Sequence, residues 1–556
     1  MAKPAPSTNG SLGNKSGWEA TGYDYRDNTI EGFPCLHEFQ IGGISLMPTV
    51  GELLTVPGLP SDTIKTGYRS RFSHENEVVK PGYYSVLLED YQIQAELTAT
   101  ERVAFQRFTF PQGQEKHILF NIGNRQGESG AVKDAYVVYN QDGTVEGWVI
   151  TEPEYVKKYQ PGAVVPLYFF AVLDKEPLNY GAYNGNVQQP GVRESKGVGA
   201  GMYFSFASEN QEVVTAKIGL SYTSVENARL NLQQEASDLD FDRAKERAQA
   251  TWEDYLGRIR VETECREDKV KFYTGLYHAL LGRGLASDVN GAYPRNDGSV
   301  GQLPMKEGTP LYNIYNTDAA WGAQWNLSQL WILAYPEYMS EYISSHLQAY
   351  KDAGWLADGL ANNRYVSGVG TNLLSTIIAG AYECGIRDFD TKTAYEACLK
   401  NELEGKNRPF GAGKVNTTEF VKYGYVPHQD AGEGYHETFM FSASHTLEYS
   451  YSAWAVAQWA KQLGDEAHYS QLMDLSKGWE RLYDSSCNFI RPKKADGKFV
   501  DNFDPMQVWR GFQEGNAWQY TFYVPHDVKS LVAKMGADEF NLRLDSIFTI
   551  FSKEDF

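Results

Sequence analysis

The sequence predicts a multidomain β + α protein: an N-terminal antiparallel β-sandwich followed by an incomplete (α/α)6 helical barrel. Three observations predict it. Short alternating apolar runs, punctuated by Gly and Pro, fill roughly the first 230 residues. Near Ser237 the apolar period lengthens to three and four residues. Beyond that point helices of roughly 10 to 20 residues are joined by alternately short and long connections, as in toroids of paired helices.

Residues 92–98 alternate strictly, so Ile93, Ala95 and Leu97 share one face, as a half-buried strand requires. Strands at 103–110 and 117–122 follow, bounded by the turns Pro111-Gln112-Gly113 and Gly123-Asn124. Further strands are expected near 135–139, 148–151, 167–172, 202–205 and 214–221. With no helix between them, they pair as an antiparallel sandwich and not through βαβ crossovers. The stretches Trp18-Glu19-Ala20-Thr21-Gly22-Tyr23-Asp24-Tyr25 and Phe33-Pro34-Cys35-Leu36-His37-Glu38-Phe39 read as loops. After Ser237-Asp238, an expected N-cap, Phe241, Ala244, Ala248, Trp252, Tyr255 and Ile259 recur at helical spacing. A second helix carries Phe272, Leu276, Ala279 and Leu280. From there only helices and long loops are expected, with helices at 336–351, 371–385, 391–403, 442–463, 466–483, 526–535 and 538–548. The resulting division is a sandwich at 1–236, a linker helix at 237–262 and the barrel at 263–556.

The composition removes several classes of function. With 51 basic and 71 acidic side chains the formal charge is −20, which opposes nucleic-acid binding because a basic stripe is needed to displace counterions. No apolar run approaches the roughly 18 residues of a membrane span. Five cysteines without C-x-x-C spacing read as free thiols. The start of the chain lacks the basic-then-apolar pattern of a signal peptide. Aromatic residues reach 14%, which suits sugar stacking and large cores alike.

The densest candidate site is Phe512-Gln513-Glu514-Gly515-Asn516-Ala517-Trp518-Gln519-Tyr520, with Val524-Pro525-His526-Asp527 just beyond it. A Glu514 carboxyl packed against rings would be desolvated and held protonated as a general acid. Asn516 and Gln519 would then contact substrate. The plainer alternative is a helix entrance, with His526 and Asp527 capping the helix that begins at Val528. In the run 315–325, Asp318 precedes a helix bearing Trp321 and Trp325, with Trp331 beyond, and is either its cap or a substrate contact. The stretch Gln429-Asp430-Ala431-Gly432-Glu433-Gly434-Tyr435-His436-Glu437 lacks both the H-E-x-x-H and the EF-hand spacing and reads as a loop at the barrel mouth. Glu448 lies on a helix that could point inward. Trp18 and His37 are candidates that the sandwich could present to substrate.

Together these stretches resemble glycoside hydrolase family 92, the calcium-dependent exo-α-mannosidases. The resemblance rests on Ser16-Gly17-Trp18 through Tyr25, Leu46-Met47-Pro48-Thr49-Val50-Gly51, Pro81-Gly82-Tyr83-Tyr84-Ser85-Val86 and Ala95-Glu96-Leu97-Thr98-Ala99-Thr100. In the helical half it rests on Phe272-Tyr273-Thr274-Gly275-Leu276-Tyr277-His278, Gly354-Trp355-Leu356 and the run from Glu514 to Asp527. It implies hydrolysis of terminal α-mannose on glycans, N-glycans included, with inversion. Glu514 would be the general acid, while Asp318, Asn516, Gln519, Trp18, His37 and Trp321 would bind the sugar. It also implies Ca²⁺, whose main ligands, like the water-activating aspartate, are expected in a C-terminal segment beyond Phe556. The 556 residues are accordingly expected to be an inactive fragment clipped at both ends, from a secreted or periplasmic protein.

Two departures leave the linkage open. Pro34-Cys35-Leu36-His37-Glu38-Phe39 stands where many members carry a Ser-His-Thr-His-type loop, and the run from Asn362-Asn363-Arg364 to Thr371 lacks a Gly-Asn-Glu-Thr-like acid. The rival readings are a carbohydrate-binding pseudoenzyme with a cleft of Trp18, Trp321 and Trp518, and a sandwich-plus-toroid lyase. The negative charge disfavours the lyase, because uronates want a basic cleft.

Overall fold

A computed structural model describes residues 1–12, 22–61, 66–282, 284–367, 371–430 and 439–550. Trp18 and residues 431–437 of the mouth-loop stretch lie outside the described residues. The chain divides into two compact units, Met1–Thr317 with Leu360–Tyr365 and Asp318–Gly359 with Val366–Phe556.

The first unit is built on two antiparallel sheets. The larger has nine strands in the order Glu194–Lys196, Ala131–Tyr139, Thr144–Glu152, Val165–Leu173, Glu212–Ser221, Val103–Phe110, Ile93–Ala99, Tyr83–Leu88 and Val78–Lys80. The smaller has six: Val187–Pro190, Asn179–Asn184, Ala200–Phe206, Lys116–Asn121, Ile41–Val50 and Phe33–Glu38. Rings interlock between the two, Phe33 with Phe108 at 6.0 Å, Phe120 with Phe169 at 6.4 Å and Tyr139 with Phe204 at 5.0 Å. This is a sandwich core made from the inward positions of both sheets. The alternation read at 92–98 is realised, with Ile93, Ala95 and Leu97 buried and Gln94 and Glu96 partly exposed.

Three local expectations are corrected. The 33–38 stretch is an edge strand of the smaller sheet and not a loop. The sandwich does not run without helices to 236. A helix spans Val225–Ala236, capped by the Ser224 side chain accepting from the Asn227 amide at 3.1 Å. Ser237 therefore ends that helix, and the next one, Phe241–Gly257, is capped by Asp240, which accepts from the Arg243 amide at 2.8 Å. The later half also holds short ladders. Ala292–Pro294 pairs with Val300–Gln302 around Asp297-Gly298, a turn dipeptide that signals a hairpin.

The second unit is helical. Its main helices are Pro336–Ala353, Leu374–Glu383, Thr391–Leu403, Thr417–Tyr423, Ser442–Leu463, Glu466–Leu475, Val528–Met535 and Ala537–Ile550. The Ser442–Leu463 helix is buried on most of its surface, which its many Ala and Ser residues permit by letting neighbours approach closely. Trp459 on this helix stacks on Tyr382 at 4.4 Å and meets Tyr395 at 5.3 Å. Leu447 joins a core with Trp479, Phe512, Tyr520 and Leu531. The helix expected at 466–483 is broken into Glu466–Leu475 and Gly478–Leu482. The Ser476 carbonyl at the break accepts from His526 Nε2 at 2.9 Å and so leaves the helical ladder. Among the described residues no helix is long and apolar enough to cross a membrane.

Candidate active site

The second unit gathers its chemistry around one face of the Ser442–Leu463 helix. Ser444 and Glu448 are four residues apart and so lie on the same face, one turn from each other. Ser444 Oγ accepts from the Gln513 amide at 3.1 Å, which ties the Glu514 loop to this face. The Gln513 carbonyl accepts from the Tyr520 hydroxyl at 2.9 Å, and the Trp509 amide donates to the Gly515 carbonyl at 3.2 Å. Glu514 is thus held on both sides, and its φ of 51° is a left-handed value that a glutamate adopts at a cost. Gly515 is required where it stands. A Cβ there would lie 2.8 Å from Gln519 Oε1 and 2.9 Å from the Tyr520 ring.

Glu514 is exposed, so the expectation that rings desolvate its carboxyl is not met. The left-handed turn carries the side chain outward while its neighbours Gln513 and Gly515 are buried. The desolvated carboxyl is Glu448, 2% exposed and pushed up to about 7 by burial, with Asp358 adding to the rise. Trp321 Nε1 donates to Glu448 Oε1 at 2.7 Å, and the Thr371 hydroxyl donates to Oε2. Those two bonds and the Lys414 ammonium pull in the opposite direction.

Lys414 is itself buried. It donates to both Glu402 oxygens at 2.5 and 2.6 Å and to Ser452 Oγ at 2.7 Å. Burial drives the Lys414 ammonium below its ordinary range, against the pull of Glu402. The Tyr520 hydroxyl is held far above its usual value by burial, with Glu448, Tyr523 and Glu514 each adding to it. Glu448 and Glu514 therefore lie within electrostatic reach of one tyrosine.

The remaining candidates divide between framework and surface. Asn516 and Gln519 form a reciprocal capping box on the short Ala517–Tyr520 helix, at 3.2 and 3.0 Å. That is a framework duty for both side-chain carbonyls, which the sequence reading assigns to substrate contact. Asp527 sits at the N-cap of Val528–Met535, although its side chain makes no capping bond. Asp318 is exposed and does not cap the adjoining helix. The Ala320 amide is instead taken by Asp358, through Oδ1 at 3.0 Å and the carbonyl at 2.8 Å. Trp518 packs on Phe489 at 5.0 Å as part of the core. In the first unit His37 is buried, 3% exposed, with the Gly22 backbone against its ring.

The sequence reading does not anticipate the π-helical turn at Ala323–Leu327. It lies between Ala320–Gly322 and Ser328–Ala334, and such turns are frequent at functional sites. Trp325, on this turn, is 52% exposed, with its ring 5.1 Å from the half-buried Trp321 ring. Gln324, on the same turn, is buried and donates to the Tyr523 hydroxyl at 2.8 Å. Among the described residues no group of three or more His, Cys, Asp or Glu side chains could hold a metal ion.

A β-sandwich preceding a helical unit, with carboxylates set among tryptophans and tyrosines, is a layout that carbohydrate-active enzymes of several classes share, so the fold alone does not name the reaction. The family models agree over nearly the whole chain: residues 1–221 match the glycosyl hydrolase family 92 N-terminal domain and residues 227–555 the family 92 catalytic domain. The chain belongs to glycosyl hydrolase family 92.

Among solved structures it is similar to a family 92 alpha-mannosidase from Bacteroides thetaiotaomicron, at 25% identity and a TM-score of 0.87. The match covers 99% of this chain and 71% of that one. The same mannosidase in complex with mannoimidazole matches at 26% identity and 0.87, covering 99% and 70%. An inverting mannosidase from Bacteroides thetaiotaomicron shares the fold, at 24% identity and 0.84, covering 98% and 70%. A curated relative, an uncharacterized secreted glycosidase of Arthroderma benhamiae, is 25% identical over 94% of this chain and 68% of its own length.

Proposed function

We propose that this protein is an exo-α-mannosidase that removes terminal α-linked mannose from glycans with inversion of configuration. Glu514 serves as the general acid. The observation that carries the reading is the placement of Glu514 in a strained left-handed turn, hydrogen-bonded on both sides and facing out from a framework shared with the buried Glu448. Backbone strain of this kind persists where the surroundings over-determine it, and it clusters at catalytic positions. In the reaction Glu514 gives its proton to the glycosidic oxygen while a second carboxylate, roughly 6.5–9.5 Å away on the opposite face, activates water.

The substrate class is supported by the mannoimidazole complex of the similar Bacteroides enzyme. Asp318, Trp321 and Trp325 are the exposed or half-exposed groups of the second unit offered to the sugar. The proposal includes an (α/α)6 barrel for the helical unit, export from the cell and dependence on Ca²⁺. Calcium takes six to eight oxygen ligands, and among the described residues no group of three or more His, Cys, Asp or Glu side chains is placed to supply its carboxylates.

The test is proton NMR of the sugar released from an α-mannoside by the purified protein. β-Mannose appearing first, and EDTA stopping the reaction, are expected. Release of α-mannose first would refute inversion. Mannoside binding without any release would favour the pseudoenzyme.

A further inference from the structure

The buried carboxyl of Glu448 is not used as an acid in the proposed reaction, yet it makes the most specific side-chain contacts near the candidate site. Its oxygens accept one bond each, from the Trp321 indole at 2.7 Å and from the Thr371 hydroxyl. Behind it stands Lys414, held by Glu402 and Ser452. Among the described residues, Asp358, Tyr520 and Tyr523 also face it as charged or titratable groups. Of these partners, Trp321 is bonded to Glu448 and also half exposed, with a second tryptophan beside it. Its indole N–H has a fixed direction, so a bond to a carboxyl on a rigid helix fixes the plane of the ring. The π-helical turn then sets the exposed Trp325 at 62° to that plane. Two rings at a fixed angle form a corner that fits the apolar face and edge of a pyranose.

We propose that Glu448 is a positioning residue, which orients Trp321, and through it the Trp321–Trp325 corner, for the sugar that Glu514 protonates. The proposal rests on the mannosidase reading for the identity of the sugar, but not for the coupling between Glu448 and Trp321. That coupling also makes it pH-dependent. As the carboxyl loses its proton near pH 7, both oxygens become full acceptors and the indole bond strengthens.

Two measurements on the 556-residue chain test this. In ligand-free protein with ¹⁵N-labelled tryptophan, the Trp321 indole resonance, assigned by its loss in Trp321→Phe, should shift with a midpoint near pH 7. It should not titrate in Glu448→Gln. Calorimetry with mannoimidazole should show Glu448→Ala and Trp321→Phe weakening binding at least about tenfold, while Glu448→Gln, which keeps an acceptor for the indole, stays within about threefold. If Glu448→Ala does not fold, Trp321→Phe carries the same comparison.

An indole resonance that does not move between pH 5.5 and 8.5, or unchanged binding in Trp321→Phe, overturns the proposal. A wild-type chain whose indole titrates but which binds no mannoimidazole sinks the mannose reading and the sugar-positioning role with it. The intact titration would mark that failure as distinct from a failure of the Glu448–Trp321 coupling.

Discussion

Two carboxyls tied to one helix face differ in nearly every physical respect. Glu448 is buried, accepts two side-chain bonds and is pushed up to about 7. Glu514, on the loop pinned to Ser444 of that same face, is exposed and sits in a left-handed turn. The fold fixes the first by hydrogen bonds and desolvation, and the second by backbone geometry. A buried carboxyl can hold a proton near neutrality but cannot reach a leaving oxygen in solvent. An exposed one can reach it, provided its backbone holds it still. The contrast separates the task of organising the site from that of transferring the proton.

The strongest way to break the comparison is to disturb the framework behind Glu448. Lys414→Met leaves the Glu402 carboxylate buried without its cation, and should cost about 3–5 kcal/mol in urea melts, with Glu402→Gln in the same chain recovering part of it. A melt unchanged by Lys414→Met would show that the pair is not a structural unit.

Next in size is the pH dependence of stability. The folded state keeps the Glu448 proton up to about 7, against an ordinary glutamate value of 4.5. Between those limits the folded chain binds more protons than the unfolded one, so this group's contribution is full below about pH 4.5 and is lost as pH rises through 7. The loss is roughly 3 kcal/mol at most. Glu448→Gln should flatten that part of the stability profile, and an unaltered slope between pH 5 and 8 would contradict the assignment.

Glu514 should respond in the opposite sense. Glu514→Gly relieves the positive φ and should leave the protein equally stable or up to about 1 kcal/mol more stable, while removing activity. Destabilisation by that change would argue that the side chain is structural. The smallest effect is expected at Asn516→Ala, which opens the capping box and should cost about 1 kcal/mol by thermal melts.

The sandwich was legible because its strands are short, alternating and bounded by turns, as 93–99 illustrates. The Val225–Ala236 helix was not, although Ser224 three residues before Asn227 is a capping signal, because β-rich residues immediately precede it. In the site, the Glu514 run was legible as a motif. The burial of its carboxyl was misjudged because ring-rich sequence does not show which way a turn points a side chain. Glu448 was ambiguous for a related reason. Helical periodicity marks the apolar faces of the Ser442–Leu463 helix, but this helix is buried nearly all round, so no polar stripe singles out the face bearing Ser444 and Glu448. The pairing of Trp321 with Glu448 across 127 positions has no local sequence signal at all.

The most direct measurement is the leaving-group dependence of Glu514→Gln. Proton donation matters for a sugar leaving group and hardly at all for 2,4-dinitrophenolate, which departs unprotonated. The account predicts that kcat/KM on an α-mannobiose falls by about a thousandfold while that on the dinitrophenyl α-mannoside falls less than about tenfold. Equal losses on the two substrates, or no loss on either, would contradict it.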